Sequence, residues 1–550
     1  MRILPVSLVA LTLAACGGAG GGTATVPAEA VAAIDTATIM GHIRALADDS
    51  MQGRAPGGIG EERAVAYIEN QFKAIGLTPG NPDGSYIQNV PLVAITADPR
   101  MTLDLKGKMR ASLKYRDDFV AWTRHVDSEV SIKDAPLVFV GYGVEAPEYN
   151  WDDYKGLDVS GKILVMLVND PQLPDTNAFR GKAMTYYGRW TYKYEQGMKH
   201  RAAGVLIVHE AALAGYPWAV VQGMGGEKFD LAAADSNRAR AKMEAWIHFD
   251  RAKALFAAAG LDFDSLKARA TTREFTPVPL DVTASVSIKN SIRSVASRNV
   301  AGKLEGSDPA LKDEYVVYTA HWDHFGLGTP VGGDSIYNGA LDNASGTAAL
   351  LDLAKAFKAM PAAPKRSILF LAVTAEEQGL LGSQHYSVSP LYPLAKTLAN
   401  INIDGLNTEG PTKDLVVVGM GASELEDYAR DAAAEQGRIL KADPEPEKGF
   451  YYRSDHFNFA KQGVPAFYAD AGTEVIGQPA DFAMKQREKY TNEDYHKPTD
   501  EIKPEWNLAG AVQDLVLYLT IGYRVAQAAT YPEWRPGNEF RAAREAQLRP

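Results

Sequence analysis

Three apolar runs in the C-terminal half of this 550-residue chain lead directly into ionisable residues. Residues 315–319 are followed by His321 and Asp323, residues 368–373 by Glu376 and Glu377, and residues 398–403 by Asp404. Each run is short, apolar and almost unbroken, the composition of a strand buried on both faces. Helical spacing lies between and after them at 346–357, 424–436 and 506–526, with further strands expected at 415–418 and 464–468. Strands alternating with helices read as an α/β fold in three layers, α/β/α, around a mostly parallel mixed sheet. In such a sheet functional groups gather beyond the carboxyl ends of the strands. The order of residues therefore delivers an imidazole and several carboxylates to one edge.

Carboxylates grouped at one edge repel, and one or two divalent cations remove that cost. The only cysteine is Cys16, so the body of the chain has no thiolate chemistry and the chain no internal disulfide. Imidazole nitrogen with carboxylate oxygen suits zinc, cobalt or manganese. Lys and Arg number 57 against 68 Asp and Glu, a formal net charge of −11. That balance argues against nucleic acid as a partner, and against binding anionic membranes through surface charge.

Residues 1–15 are Met-Arg followed by a short apolar run, which reads as a secretory signal rather than a membrane span. Leu13-Ala14-Ala15-Cys16 resembles a bacterial lipobox. The resemblance implies cleavage before Cys16, lipid on its thiol and new amino end, and a lipid-anchored place in the bacterial cell envelope. Gly17 lacks the acidic character that retains lipoproteins at the inner membrane, which favours the outer one. Residues 16–32 read as a flexible tether. Residues 33–80 read as helices around a loop, Gly53-Arg54-Ala55-Pro56-Gly57-Gly58.

His321-Trp322-Asp323, Asn338 to Gly346 with Asp342 at its centre, Glu376-Glu377-Gln378-Gly379, Asn402-Ile403-Asp404 and Tyr495-His496 occur in that order. Together they resemble the di-zinc exopeptidase family. The resemblance implies two zinc ions per chain. His321 and Asp404 would hold one and Glu377 and His496 the other, with Asp342 bridging. Glu376 would be the general base, Asp323 would accept the spare N–H of His321, and Tyr495 would donate to a developing oxyanion. The bond Asp342–Asn343 would be cis. Arg453, in the segment Arg453-Ser454-Asp455-His456, would anchor a substrate carbonyl or carboxylate, with a structural capping role for the segment as the other reading. His324 and His385 read as polar loop residues rather than ligands.

Gly141-Tyr142-Gly143, Asp153-Tyr154, residues 157–162 and Ala202-Ala203-Gly204-Val205 resemble a protease-associated domain inserted in such peptidases. The expected organisation is a signal at 1–15, the tether, an N-terminal part of the peptidase domain at 33–130, a β-rich insert at 131–290, the catalytic domain at 291–530 and a loosely held polar tail at 531–550. The resemblance implies an aminopeptidase acting on peptides. Carboxypeptidase, dipeptidase or glutaminyl cyclase activity, and a non-catalytic receptor, are alternatives on the same fold. His321 argues against the cyclase, whose relatives lack that ligand. Nothing in the sequence fixes an oligomeric state.

Overall fold

The computed structural model describes residues 24–173, 178–224 and 226–549. The signal segment, Cys16 and the first part of the tether lie outside the described residues.

Strands Ser367–Val373, Tyr315–His321, Thr397–Asn402 and Ala466–Asp470 lie side by side and parallel. They form the middle of a mixed sheet. The flank beyond Ser367–Val373 is antiparallel, formed by Val278–Leu304, Ile87–Ala97 and Lys228–Leu231. On the other side Asp414–Val417 pairs antiparallel with Ala466–Asp470 and parallel with Ile439–Ala442. Side chains alternate across the central strands. Val316, Tyr318, Ala320, Ile368, Phe370 and Ala372 enter a core with helices Thr36–Leu46, Ile59–Ile75, Gly346–Lys358 and Ala509–Gln527. Tyr315, Val317, Leu369, Leu371 and Val373 face the other layer, with Tyr386 and Phe459 from helices Leu381–Val388 and His456–Lys461. Apolar runs buried on both faces thus produce the expected three layers.

A second sheet stacks Glu129–Phe139, Ile163–Leu167, Gly204–Val208 and Met243–Ile247 in parallel, with Phe119–Trp122 antiparallel at the edge. One strand, Val278–Leu304, belongs to both sheets. Its first half pairs with Thr102–Gly107 and Glu129–Phe139, and its second with Ile87–Ala97 and Ser367–Val373.

Three parts of the expected organisation differ. The second sheet already contains Thr102–Gly107, Ala111–Lys114 and Phe119–Trp122, so a boundary at 131 falls inside it. The tether ends earlier than expected, because Ala28–Ala32 is helical and Ala30 is buried in the main core. The C-terminal segment is docked rather than loose. Trp534 is buried and its Nε1 donates to the Gly463 carbonyl, Phe540 is buried, and the Arg544 guanidinium donates to the carbonyls of Leu394 and Thr397. Two aromatic rings and one arginine outweigh an otherwise polar composition.

Candidate metal centre

The strand Tyr315–His321 ends at His321, whose carbonyl accepts a hydrogen bond from Thr347 Oγ1 at 2.8 Å. His321 Nε2 lies 3.1 Å from Asp404 Oδ1 and 3.4 Å from Asp342 Oδ1. The second oxygen of Asp342 turns the other way. His496 Nε2 lies 3.2 Å from Asp342 Oδ2 and 3.2 Å from Glu377 Oε2. Asp342 therefore stands between two clusters, His321 with Asp404 and Glu377 with His496. Tetrahedral zinc with bonds of about 2.0–2.1 Å separates its ligand atoms by roughly 3.3 Å. Both clusters match that spacing and offer only nitrogen and carboxylate donors, so the residues fit zinc.

Backbone contacts hold the shared carboxylate in place. The Asp342–Asn343 peptide is cis. Asn343 Oδ1 accepts from the amides of Gly346 and Gly405, and its Nδ2 donates to the Ile403 carbonyl, which ties the Asp342 loop to the Asp404 loop. Asp500 accepts from the amides of Leu341 and Asp342 at 3.0 Å each. Arg54, fully buried, donates to the carbonyls of Leu46, Trp322, Asn338 and Gly339 at 2.6–3.0 Å. It thereby clamps the segment after His321 to the segment before Asp342.

The electrostatics of the cluster are those of crowded acids and bases. Burial pushes the Glu376 and Glu377 carboxyls well above their ordinary range, and neighbouring carboxylates push the same way. Burial also works to raise Asp342, but hydrogen bonds from His321 and His496 outweigh it and hold that carboxyl well below its usual value. Burial works to lower His321, and Asp404, Glu376 and Asp342 outweigh it and raise it.

Glu376 is in neither cluster; its Oε2 is 3.9 Å from His321 Nε2. Neighbouring side chains after one strand thus point to different places. Asp323 departs from its expected role. Its carboxylate is 3.8 Å from His321 Nδ1, beyond hydrogen-bond reach, while its backbone carbonyl is at 3.2 Å. The Asp323 carboxylate instead accepts from the Glu376 amide at 3.0 Å and so fixes the turn that carries both glutamates. Tyr495 stacks on His496 with ring centroids 3.7 Å apart and is half-exposed. Arg453 is exposed, lies over the Phe450 ring at 5.2 Å, and has no ion-pair partner among the described residues. Asp455 does not cap the helix it precedes; it accepts from Ser383 Oγ at 2.5 Å. His385, on helix Leu381–Val388, belongs to neither cluster.

Three contributors were not expected at the site from the sequence. Arg54 and Asp500 bond mainly to backbone, and His324 was read as a loop residue. His324 is fully buried with Nδ1 2.6 Å from Glu377 Oε1. The dipeptide Asp323-His324 after a strand that already ends in His321 is the one hint the sequence offers.

Histidines and carboxylates converge at the carboxyl edge of a mixed α/β sheet, in pairs around a shared aspartate, and give a donor set of imidazole nitrogen and carboxylate oxygen that fits zinc. Residues 299–520, which hold every residue of both clusters, match the model of peptidase family M28. A stretch of 124 residues is 36% identical to aminopeptidase NAALADL1 of Mus musculus, covering 22% of this chain and 15% of that protein. Another of 115 residues is 36% identical to aminopeptidase YwaD of Bacillus subtilis (strain 168), covering 20% and 22%. The chain thus spans about a fifth of the length of the curated relatives it matches. Among solved structures, an aminopeptidase from Aneurinibacillus sp. strain AM-1 aligns over 90% of this chain and 94% of its own, at 20% identity and a TM-score of 0.47.

Proposed function

We propose that this chain is a two-zinc aminopeptidase that removes residues from the amino ends of peptides. The observation that carries the reading is the Asp342 carboxylate, whose two oxygens face separate donor clusters at 3.2–3.4 Å. His321 and Asp404 would complete one zinc site, Glu377 and His496 the other. Zinc bound there would polarise a substrate carbonyl and lower the pKa of a water to about 7 from about 15.7. Glu376, beside the first cluster and outside both ligand sets, takes the proton of the attacking water and returns it to the leaving amine. Tyr495, held against His496, donates a hydrogen bond to the developing oxyanion. Asp323 positions Glu376 through its amide. Arg453 anchors a substrate carbonyl or carboxylate.

Glu376 and Asp404 also supply negative charge for a substrate ammonium, which favours the amino end over the carboxyl end. The names of the two curated relatives support the same choice. Retention of His321 weighs against the cyclase. The second lobe, carrying the protease-associated resemblance, acts as a lid that shapes access. Cys16 and the segment before it support a lipid-anchored protein of the bacterial outer membrane. Among the described residues no helix is long and apolar enough to cross a membrane.

Glu376→Gln tests the reading. The variant should keep both zinc ions and its melting temperature while hydrolysis of aminoacyl-nitroanilides and dipeptides falls by roughly 10²–10⁴. Metal analysis and initial rates on one sample decide it, and near-wild-type turnover with both metals bound removes Glu376 from the mechanism.

A further inference from the structure

We infer that His324 is a further ligand of the second metal, so that this site holds four protein donors, Asp342, Glu377, His496 and His324, against three at the first. The inference rests on the two-zinc reading above and departs from the ligand set that the family resemblance implies.

His324 is completely buried, and neither ring nitrogen has a hydrogen-bond partner. Glu377 Oε1 is also buried without one. Yet Nδ1 and Oε1 are 2.6 Å apart. Two polar atoms in close contact, set off the direction of a hydrogen bond, share a need that a cation facing both and Asp342 would meet, the two atoms moving apart toward the roughly 3.3 Å of zinc ligands as it binds. His324, Asp342 and Glu377 offer donor atoms that all lie within 4.8 Å of one another. An orphaned buried polar atom destabilises the fold, so a pair of them beside the ligand clusters calls for an explanation.

The surroundings hold this imidazole in place. Gly339 has φ +55°, and a Cβ there would sit 2.5 Å from His324 Cγ and 2.6 Å from Cδ2. The glycine is therefore required by the ring as well as by the backbone. The rings of Phe325 and His496 stand edge-on to His324 at 5.0 and 6.0 Å. Arg54 fixes the backbone on both sides, through the carbonyls of Trp322 and Gly339.

The two sites then differ in kind. A closed set of four protein ligands holds its ion firmly, whereas a set of three leaves a position open for substrate. The second site fills first and is the last to empty. Substrate is taken up at the first, beside Glu376.

The test uses the full chain stripped with a chelator and titrated with zinc against a chromophoric competitor. Wild type should take up two ions, one much more tightly. In His324→Ala and His324→Gln the tighter site should weaken at least roughly tenfold while the other is unchanged. X-ray absorption at the zinc edge should show three imidazoles per zinc pair in wild type and two in either variant. Two imidazoles in wild type, or variants that bind both ions as tightly as wild type, overturn the assignment. A wild-type chain that takes up fewer than two zinc ions overturns the two-zinc reading itself and the assignment with it. Should the alanine variant fail to fold, the glutamine variant and the wild-type spectrum decide.

Discussion

The two sheets present the same pattern of residues and make opposite use of it. In the second sheet, too, buried parallel strands run into ionisable residues. Asp170 follows Ile163–Leu167, His209 and Glu210 follow Gly204–Val208, and His248 follows Met243–Ile247. There each group finds its own partner. Asp170 accepts from Thr185 at 2.5 and 2.8 Å, and Glu210 pairs with Lys267 at 2.5 Å. His209 bonds the Tyr216 carbonyl, and His248 caps the helix Phe249–Ala258. The buried Lys193 ammonium is surrounded by the carbonyls of Tyr142, Asn169 and Tyr187 at 2.6–2.8 Å. In the first sheet the groups converge on one another instead, and Asp342 is shared. A charged residue at a strand end is thus weak evidence of chemistry. Mutual dependence among several, with no separate counter-groups, is the evidence that counts.

The comparison breaks most severely at Asp342. Asp342→Asn removes the carboxylate common to both clusters: under the two-zinc proposal the first site keeps only His321 and Asp404 and should empty, while the second keeps Glu377, His496 and His324 and should weaken. Zinc content measured after gel filtration should fall from two to one or fewer, and hydrolysis should drop by roughly a thousandfold, equivalent to several kcal/mol of lost charge stabilisation. A variant that keeps both ions as tightly as wild type would mean that the clusters are independent of Asp342, and the contrast between the sheets would reduce to one of degree.

Lys193→Met probes the other side. A fully buried ammonium with three carbonyl partners is structural, and its loss leaves those carbonyls and nearby Asp170 uncompensated. Unfolding in denaturant should show a loss of about 3–5 kcal/mol. Zinc stoichiometry should stay at two, and the melting shift caused by a chelator should match that of wild type, because distant sites add independently. If zinc affinity changes with Lys193, the second lobe is coupled to the metal centre.

The same contrast explains what could be read in advance. The position of each strand end is local, since an apolar run specifies both the strand and the residue that follows it. His321, Glu376, Glu377 and Asp404 were therefore legible at the strand ends, and Asp342 and His496 came from the resemblance of their motifs to the di-zinc exopeptidase family. Partnership is not local. The acceptors of Arg54 include the Trp322 carbonyl, 268 positions away, and nothing near Arg54 hints at it. His324 sits in a polar-looking turn whose burial comes from loops 338–339 and 496. Strands Thr102–Gly107 and Ala111–Lys114 alternate like any half-buried strand, and only the pairing of Thr102–Gly107 with the long strand Val278–Leu304 decides which sheet they join. Trp534 and Arg544 likewise bond to carbonyls that only the folded chain brings near.

Arg54 gives the finest measure of the difference between the sheets, because it resembles Lys193 in chemistry while serving the metal centre. Both are buried cations bonded to backbone carbonyls, but three of the four carbonyls held by Arg54 flank ligand-bearing segments. Arg54→Lys keeps the charge and loses the planar fork, so a single ammonium cannot reach all four acceptors in their present geometry. The ligand segments should loosen rather than separate. Zinc affinity should then fall by roughly 10–100-fold, the range seen when groups that orient ligands are altered, with the ligands themselves intact. Saturating zinc should restore most of the turnover, with KM changed little, which a variant that merely unfolds would not show. If Arg54→Lys instead lowers stability with zinc affinity unaltered, Arg54 is a second Lys193, and the metal centre owes its order to Asn343 and Asp500 alone.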